Sequence, residues 1–201
     1  LDLINDVLDL SKIEAGALEL AEDVLDINEM LQSALRIIRG RANEKSIGIE
    51  TILDPAVPQI RGDERAIKQI ALNILSNSAK FTGSGGTITV SSEINRDGRV
   101  SLIIADTGIG IAPSDIPKVL EPFGQAGNVR ARRQEGTGLG LSISKRLTEL
   151  QGAEFELESE VGVGTTVRIH FSQIAGSKPG EPEATRESGA LNTRRAAAGH
   201  G

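Results

Sequence analysis

The spacing of apolar residues switches between helical and strand periods along the chain, and the switches predict its elements. Leu1, Ile4 and Leu8 with Leu3, Val7 and Leu10 make a wide helical stripe over residues 1–14. Such a stripe suits either a helix packed on its own domain or a bundle helix without its partners. Asp26 and Glu29 make a helix start, and Leu31, Ala34, Leu35, Ile38 and Ala42 continue as one face. Ile47-Gly-Ile49-Glu-Thr51 alternates as a strand, and Asp54-Pro55 and Val57-Pro58 break the chain. Gly62-Asp63 then caps a helix of about Asp63 to Lys80, with Ile67, Ile70, Ala71, Ile74 and Leu75 inward. Thr87–Ile94 and Val100–Ala105 read as strands joined by a hairpin at Asn95–Gly98, the second apolar enough to be buried on both faces. Pro113 and Ser114 open a short helix that stops at Pro122, and Leu139, Ile143, Leu147 and Leu150 mark a helix ended by Gly152. Glu154–Glu158 alternates strictly, and Gly162–Gly164 turns the chain into a strand with Val167, Ile169 and Phe171 inward. Helices alternating with mostly antiparallel strands predict an α+β sandwich, its helices layered on one face of a mixed sheet.

Composition narrows the class. A chain of 201 residues that is 25% charged and 38% hydrophobic carries one domain plus appendages. A net charge of −6 and 2% aromatic residues argue against a nucleic-acid partner. Cysteine is absent, which excludes disulfides and thiolate metal sites. No apolar run approaches membrane-spanning length, so no membrane contact is expected of these residues. The chain opens on Leu1 inside a helical pattern, as a fragment would. Residues 174–201 are rich in Gly, Pro, Ser, Glu, Arg and Ala without periodicity and read as a disordered tail.

The candidate chemistry sits where patterns break. Asp106-Thr-Gly108-Ile-Gly110-Ile111 ends the apolar strand with a carboxylate and two glycines. An acceptor-only carboxylate beside bare backbone suits an exocyclic amino group such as that of adenine. On the helix of about Asp63 to Lys80, the face carrying Gln69, Asn73, Ser76, Asn77 and Lys80 is too poor in Glu and Lys for an ordinary solvated face. An Asn oxygen is a hard neutral ligand for Mg²⁺ that shares the ion with phosphates and water. Gly136, Gly138 and Gly140 precede a helix whose N-terminal amides face an anion well. No Gly-Lys-Ser/Thr follows, so this is no Walker loop. Residues 124–134 lack periodicity and carry Arg130, Arg132 and Arg133, which suits a mobile lid that Phe123 hinges or covers.

Asn73–Thr82, Asp106–Ile111, Pro122-Phe123-Gly124-Gln125 and Gly136–Lys145, in that order, resemble the four ATP-site boxes of the histidine protein kinases of two-component signalling. Leu8–Gly16 resembles the end of the second dimerisation helix of these kinases. The resemblance implies a Bergerat-type ATP fold over residues 27–173, preceded by that helix at 1–16 and a linker at 17–26. It implies ATP and Mg²⁺ as cofactors and transfer of the γ-phosphoryl group to a histidine outside these residues, for relay to an aspartate of a response-regulator receiver domain. Asn77 is then the metal ligand, with Asn73 and Lys80 in support. Asp106, Gly108, Gly110, Phe123, Gly136, Gly138, Leu139 and Gly140 hold the nucleotide. Thr165 matches a family threonine near the adenine, though a plain strand-entry threonine reads the same way. His170 and His200 lack the family's His-Glu-Leu-Arg-Thr-Pro context and read as incidental. The resemblance further implies a homodimer through a four-helix bundle and a cytoplasmic setting, whether or not a longer protein is anchored at the inner face of the membrane. Two other readings stay open: an ATP hydrolase of the same fold and a non-catalytic ATP-sensing module. In the hydrolases a Glu one turn before the metal-binding Asn activates water. Asn73 stands there and cannot take a proton.

Overall fold

The structure is a computed structural model, and it describes residues 2–127 and 137–172. Helix α1 runs Asp2–Glu14, strand β1 Asp23–Leu25, α2 Ile27–Glu44, β2 Gly48–Leu53 and β3 Ile60–Gly62. Helix α3 spans Glu64–Phe81, β4 Thr87–Ile94, β5 Val100–Asp106 and α4 Ile116–Val119. Helix α5 spans Gly140–Leu150, β6 Glu154–Glu160 and β7 Gly164–Phe171.

Five strands form one sheet in the order β2-β4-β5-β7-β6. Only β2 and β4 run parallel; β4–β5, β5–β7 and β6–β7 are antiparallel. Register puts Val90, Ile104 and Val167 side by side on one face, with Leu102 beside Ile169. All are buried, together with Ile67, Ile70 and Ile74 of α3 and Leu35 and Ile38 of α2. The helices therefore cover one face of a mixed, mostly antiparallel sheet, and β5 is its central strand. Its other face departs from expectation. Among the described residues no helix covers it, so Ile103 and Ala105 of β5 are half-exposed, while Ser101 is fully buried. Ser101 Oγ lies 2.8 Å from Nδ1 of His170 on that face.

Three local differences have physical reasons. Residues 23–25 are not free linker: β1 pairs antiparallel with β3, Val24 opposite Arg61, and Leu25 is buried. Three-residue strands are too short to show a period. The helix expected from Pro113 to Pro122 is only Ile116–Val119, with a proline in its first turn. Leu10 of the first stripe is buried at 8% exposure, with Ile13 at 3%, where α1 meets α5. Ile4, Val7 and Leu8 stay exposed. Leu1, the Leu3 side chain, the lid arginines, Gly136, His200 and residues 174–201 lie outside the described residues.

Candidate nucleotide site

Helix α3 is held by its ends. Asp63 caps it by accepting from the Ala66 N–H at 2.9 Å, and Lys45 Nζ reaches the Ala79 carbonyl at the other end, also at 2.9 Å. Burying its apolar side against the sheet turns Asn73, Asn77 and Lys80, all half-buried, onto a cavity of about 660 Å³. Asp106, Gly110 and Thr165 line it from the sheet, and Gly138 and Gly140 from the start of α5.

Asp106 ends β5 directly opposite Thr165 of β7. Its Oδ1 accepts from the Gly108 N–H at 2.9 Å and its Oδ2 from the Ser78 hydroxyl at 2.9 Å. Burial pushes the carboxyl above the ordinary carboxylate range, while the N–H groups of Gly108 and Thr165 and the Ser78 hydroxyl pull back. The turn beyond it needs glycine. Gly110 has φ +66°, and a Cβ there would collide with the Glu160 carbonyl. Gly164 is its counterpart: a Cβ would strike the Asp106 carbonyl. Ser159 joins the two turns by accepting from the Ile111 N–H at 2.8 Å and lying 2.8 Å from Thr165 Oγ1. Ser78 and Ser159 were not singled out in the sequence. Each acts on a partner 28 or more residues away, which no local pattern announces.

Asn73 donates to the Gly140 carbonyl at 3.3 Å and accepts from Gln69 Nε2 at 3.3 Å. Its amide pins the start of α5 to α3. The Cβ position of Gly140 is 3.6 Å from Asn77 Nδ2, so the helix start faces Asn77 closely. Among the described residues nothing hydrogen-bonds the Asn77 carboxamide, and no His, Asp and Glu cluster suited to a metal occurs. Lys80 Nζ lies 4.8 Å from the centre of the Phe81 ring.

Not every expected contact reaches the cavity. Leu139 is fully buried in the hydrophobic core, because apolar burial at the foot of α5 takes it inward. Thr137 and Leu141 line the cavity instead. Phe123, at φ +63°, is 60% exposed and its ring is turned outward; Gly124, Gln125 and Ala126 supply that wall. Gly108 lies beneath the cavity, where a Cβ would meet Asp106 Oδ1 at 2.7 Å and the Phe81 carbonyl at 2.8 Å.

The family described as histidine kinase-, DNA gyrase B-, and HSP90-like ATPase matches residues 62–174, more than half of the chain. The chain belongs to this ATPase family. Within the family it is similar to the histidine protein kinase DivJ of Caulobacter vibrioides, at 43% identity over 171 residues, 85% of this chain and 28% of DivJ. It is 39% identical over 179 residues to the cell-division control histidine kinase PdhS of Brucella canis, covering 85% of this chain and 17% of PdhS. The structure of full-length ShkA in complex with AMPPNP superimposes with a TM-score of 0.77 at 31% identity, over 89% of this chain and 36% of ShkA. The chain therefore spans well under half the length of these relatives. The histidine kinase AdeS of Acinetobacter baumannii, at 22% identity and TM-score 0.69, shares the ATPase fold.

Proposed function

We propose that this chain is the ATP-binding catalytic part of a sensor histidine kinase, which transfers the γ-phosphoryl group of ATP to a histidine on another domain for relay to a response-regulator aspartate. One observation carries the choice of reaction. Asn73, one turn before Asn77, spends its amide on the Gly140 carbonyl and offers no base to activate water. This favours transfer over hydrolysis. The names of DivJ and PdhS support the same reading, as does AMPPNP in ShkA.

In this reading Asp106 accepts from the adenine amino group, and the Gly110 turn lets the base lie against backbone. The α5 amides and Lys80 receive the phosphates, placing the donor without covalent help from the protein. The Asn77 oxygen fits a hard cation, since no other described residue hydrogen-bonds the carboxamide and Asn77 lines the cavity beside Gly140 at the start of α5. Bound Mg²⁺ would neutralise charge on the transferring phosphates. Residues 1–16 would end a dimerisation helix, giving a homodimer through a four-helix bundle in the longer protein. Among the described residues no helix is long and apolar enough to cross a membrane.

Calorimetry with ATP, with and without Mg²⁺, tests the site. The chain should bind ATP, and Asn77→Ala should remove the Mg²⁺-dependent part of the affinity. Label from γ-labelled ATP should reach a histidine-bearing dimerisation domain added in trans. Stable label on His170 or His200 instead would refute transfer to an outside acceptor.

A further inference from the structure

The Asp106 carboxylate has few free positions. A carboxylate offers about four acceptor positions. The Gly108 N–H and the Ser78 hydroxyl take one on each oxygen, and the nearby Thr165 N–H adds a smaller pull toward the ionised form. What remains for a ligand is about one acceptor position on each oxygen. Two of these donors are backbone and come with the fold. The third is the Ser78 side chain, 3% exposed, on α3 directly after Asn77.

We infer that Ser78 is a specificity-determining positioning residue: its hydroxyl fixes the Asp106 carboxylate in one orientation as a pure acceptor, so that the site selects a 6-amino purine over a 6-oxo purine. The inference rests on the adenine-reading role of Asp106 and adds what keeps that role reliable. A half-buried carboxyl is drawn toward its protonated form. Once protonated it carries an O–H donor, which suits the O6 acceptor of a 6-oxo purine and opposes the amino group of adenine. The hydroxyl works against this in two ways. It stabilises the ionised form, and it fixes the side chain by occupying Oδ2.

Among the described residues, other charges do not duplicate it. Arg41, Glu44 and Lys45 of α2 and Lys80 of α3 line the same cavity. None is among the influences on the Asp106 carboxyl, which are burial, the Gly108 N–H, the Ser78 hydroxyl and the Thr165 N–H. No charged side chain of β4, β7 or α5 lines this cavity. Without Ser78, only the two backbone donors oppose burial.

The test is calorimetric titration of the whole chain with ADP and with GDP across acid and neutral pH, for the unsubstituted protein, Ser78→Ala and Ser78→Thr. Ionisation of the terminal phosphate is common to all three and drops out of the comparison. ADP binding should fail as the pH drops through the Asp106 titration. In Ser78→Ala that loss should begin at higher pH. The preference for ADP over GDP should shrink about tenfold, the worth of one hydrogen bond to a charged group. Ser78→Thr keeps the hydroxyl and should restore both the profile and the preference. If Ser78→Ala weakens ADP and GDP by the same factor at every pH, with an unmoved profile, Ser78 is packing only and the inference is overturned. If Ser78→Thr follows Ser78→Ala in profile and preference, the hydroxyl is not the cause, which overturns it equally. If the unsubstituted chain binds no ADP at any pH, the nucleotide reading fails, and this inference falls with it.

Discussion

Burial holds Asp106 above the ordinary carboxylate range despite the donors around it. The folded state therefore takes up a proton there more readily than the unfolded chain, and ionising the group near neutral pH works against folding. Stability from this group grows as the pH falls through its raised value and is smallest where folded and unfolded forms are both ionised. Asp106→Asn should accordingly raise the urea midpoint of the ligand-free chain at pH 7, and the gain should shrink on acidification. The same substitution exchanges a pure acceptor for a mixed donor and acceptor, so selection of ATP over GTP should weaken. A stabilised protein with an unchanged ATP-to-GTP ratio would show that the carboxylate does not read the base. On the proposed reading, the residue that would serve the ligand is one that the fold carries at a disadvantage without it.

At the scale of elements, Asp63 joins three segments. Its Oδ1 caps α3, its Oδ2 accepts from the Ala21 N–H at 2.9 Å, and its own N–H donates to Gln151 Oε1, just past α5, at 2.9 Å. Burial is the largest single influence on its carboxyl and pushes upward. The N–H groups of Ala21, Ala66 and Arg65, with the Arg65 charge, together outweigh it and leave the group below the ordinary value. Asp63 therefore supports the fold above the ordinary carboxylate range, and this support is lost as the pH falls through its lowered value. Asp63→Ala should cost about 1 kcal/mol for the lost cap. Asn caps as well as Asp but presents its amide nitrogen to Ala21, so Asp63→Asn should keep α3 and release residues 17–25. Hydrogen exchange checks this: the Ala21 amide should lose protection while the amides of α3 keep theirs. The long elements were legible because Ile67, Ile70, Ile74 and their neighbours repeat over several turns. The β1–β3 pair was not, because its pairing joins Asp23–Leu25 to residues 60–62 across the whole of α2. The site divides the same way. Asn73, Asn77 and Asp106 could be read because each breaks a local pattern. Ser78 looks like any small helix residue until the sheet brings Asp106 beneath it, and Leu139, which opens the apolar stripe of its helix, follows that stripe into the core rather than the nucleotide role that the resemblance implied.

For the whole molecule, α1 divides into a docked end and an open end. Leu10 and Ile13 are buried against the domain, while Ile4 and Leu8 are exposed at 60% and 53%. Leu10→Ala should destabilise the domain by about 2–5 kcal/mol; Leu8→Ala should leave its unfolding midpoint nearly unchanged. In a longer protein with the preceding helix, Leu8→Ala should weaken self-association, which sedimentation would measure. Equal destabilisation by both would mean that the stripe serves the domain alone.

The pairing of β5 with β7 has a consequence in time. Asp106 and the strand that completes its surroundings are brought into register with Thr165, about sixty residues later in the chain. A chain emerging from a ribosome exposes Asn77 and Asp106 well before β7 exists to seat Thr165 and the Gly164 turn against them. Contacts between distant segments also form late in refolding, since loop closure must come first. On the proposed reading, nucleotide capture awaits closure of the sheet, and a captured nucleotide would hold it closed by mass action. Binding itself then becomes, on that same reading, a report that the sheet has closed.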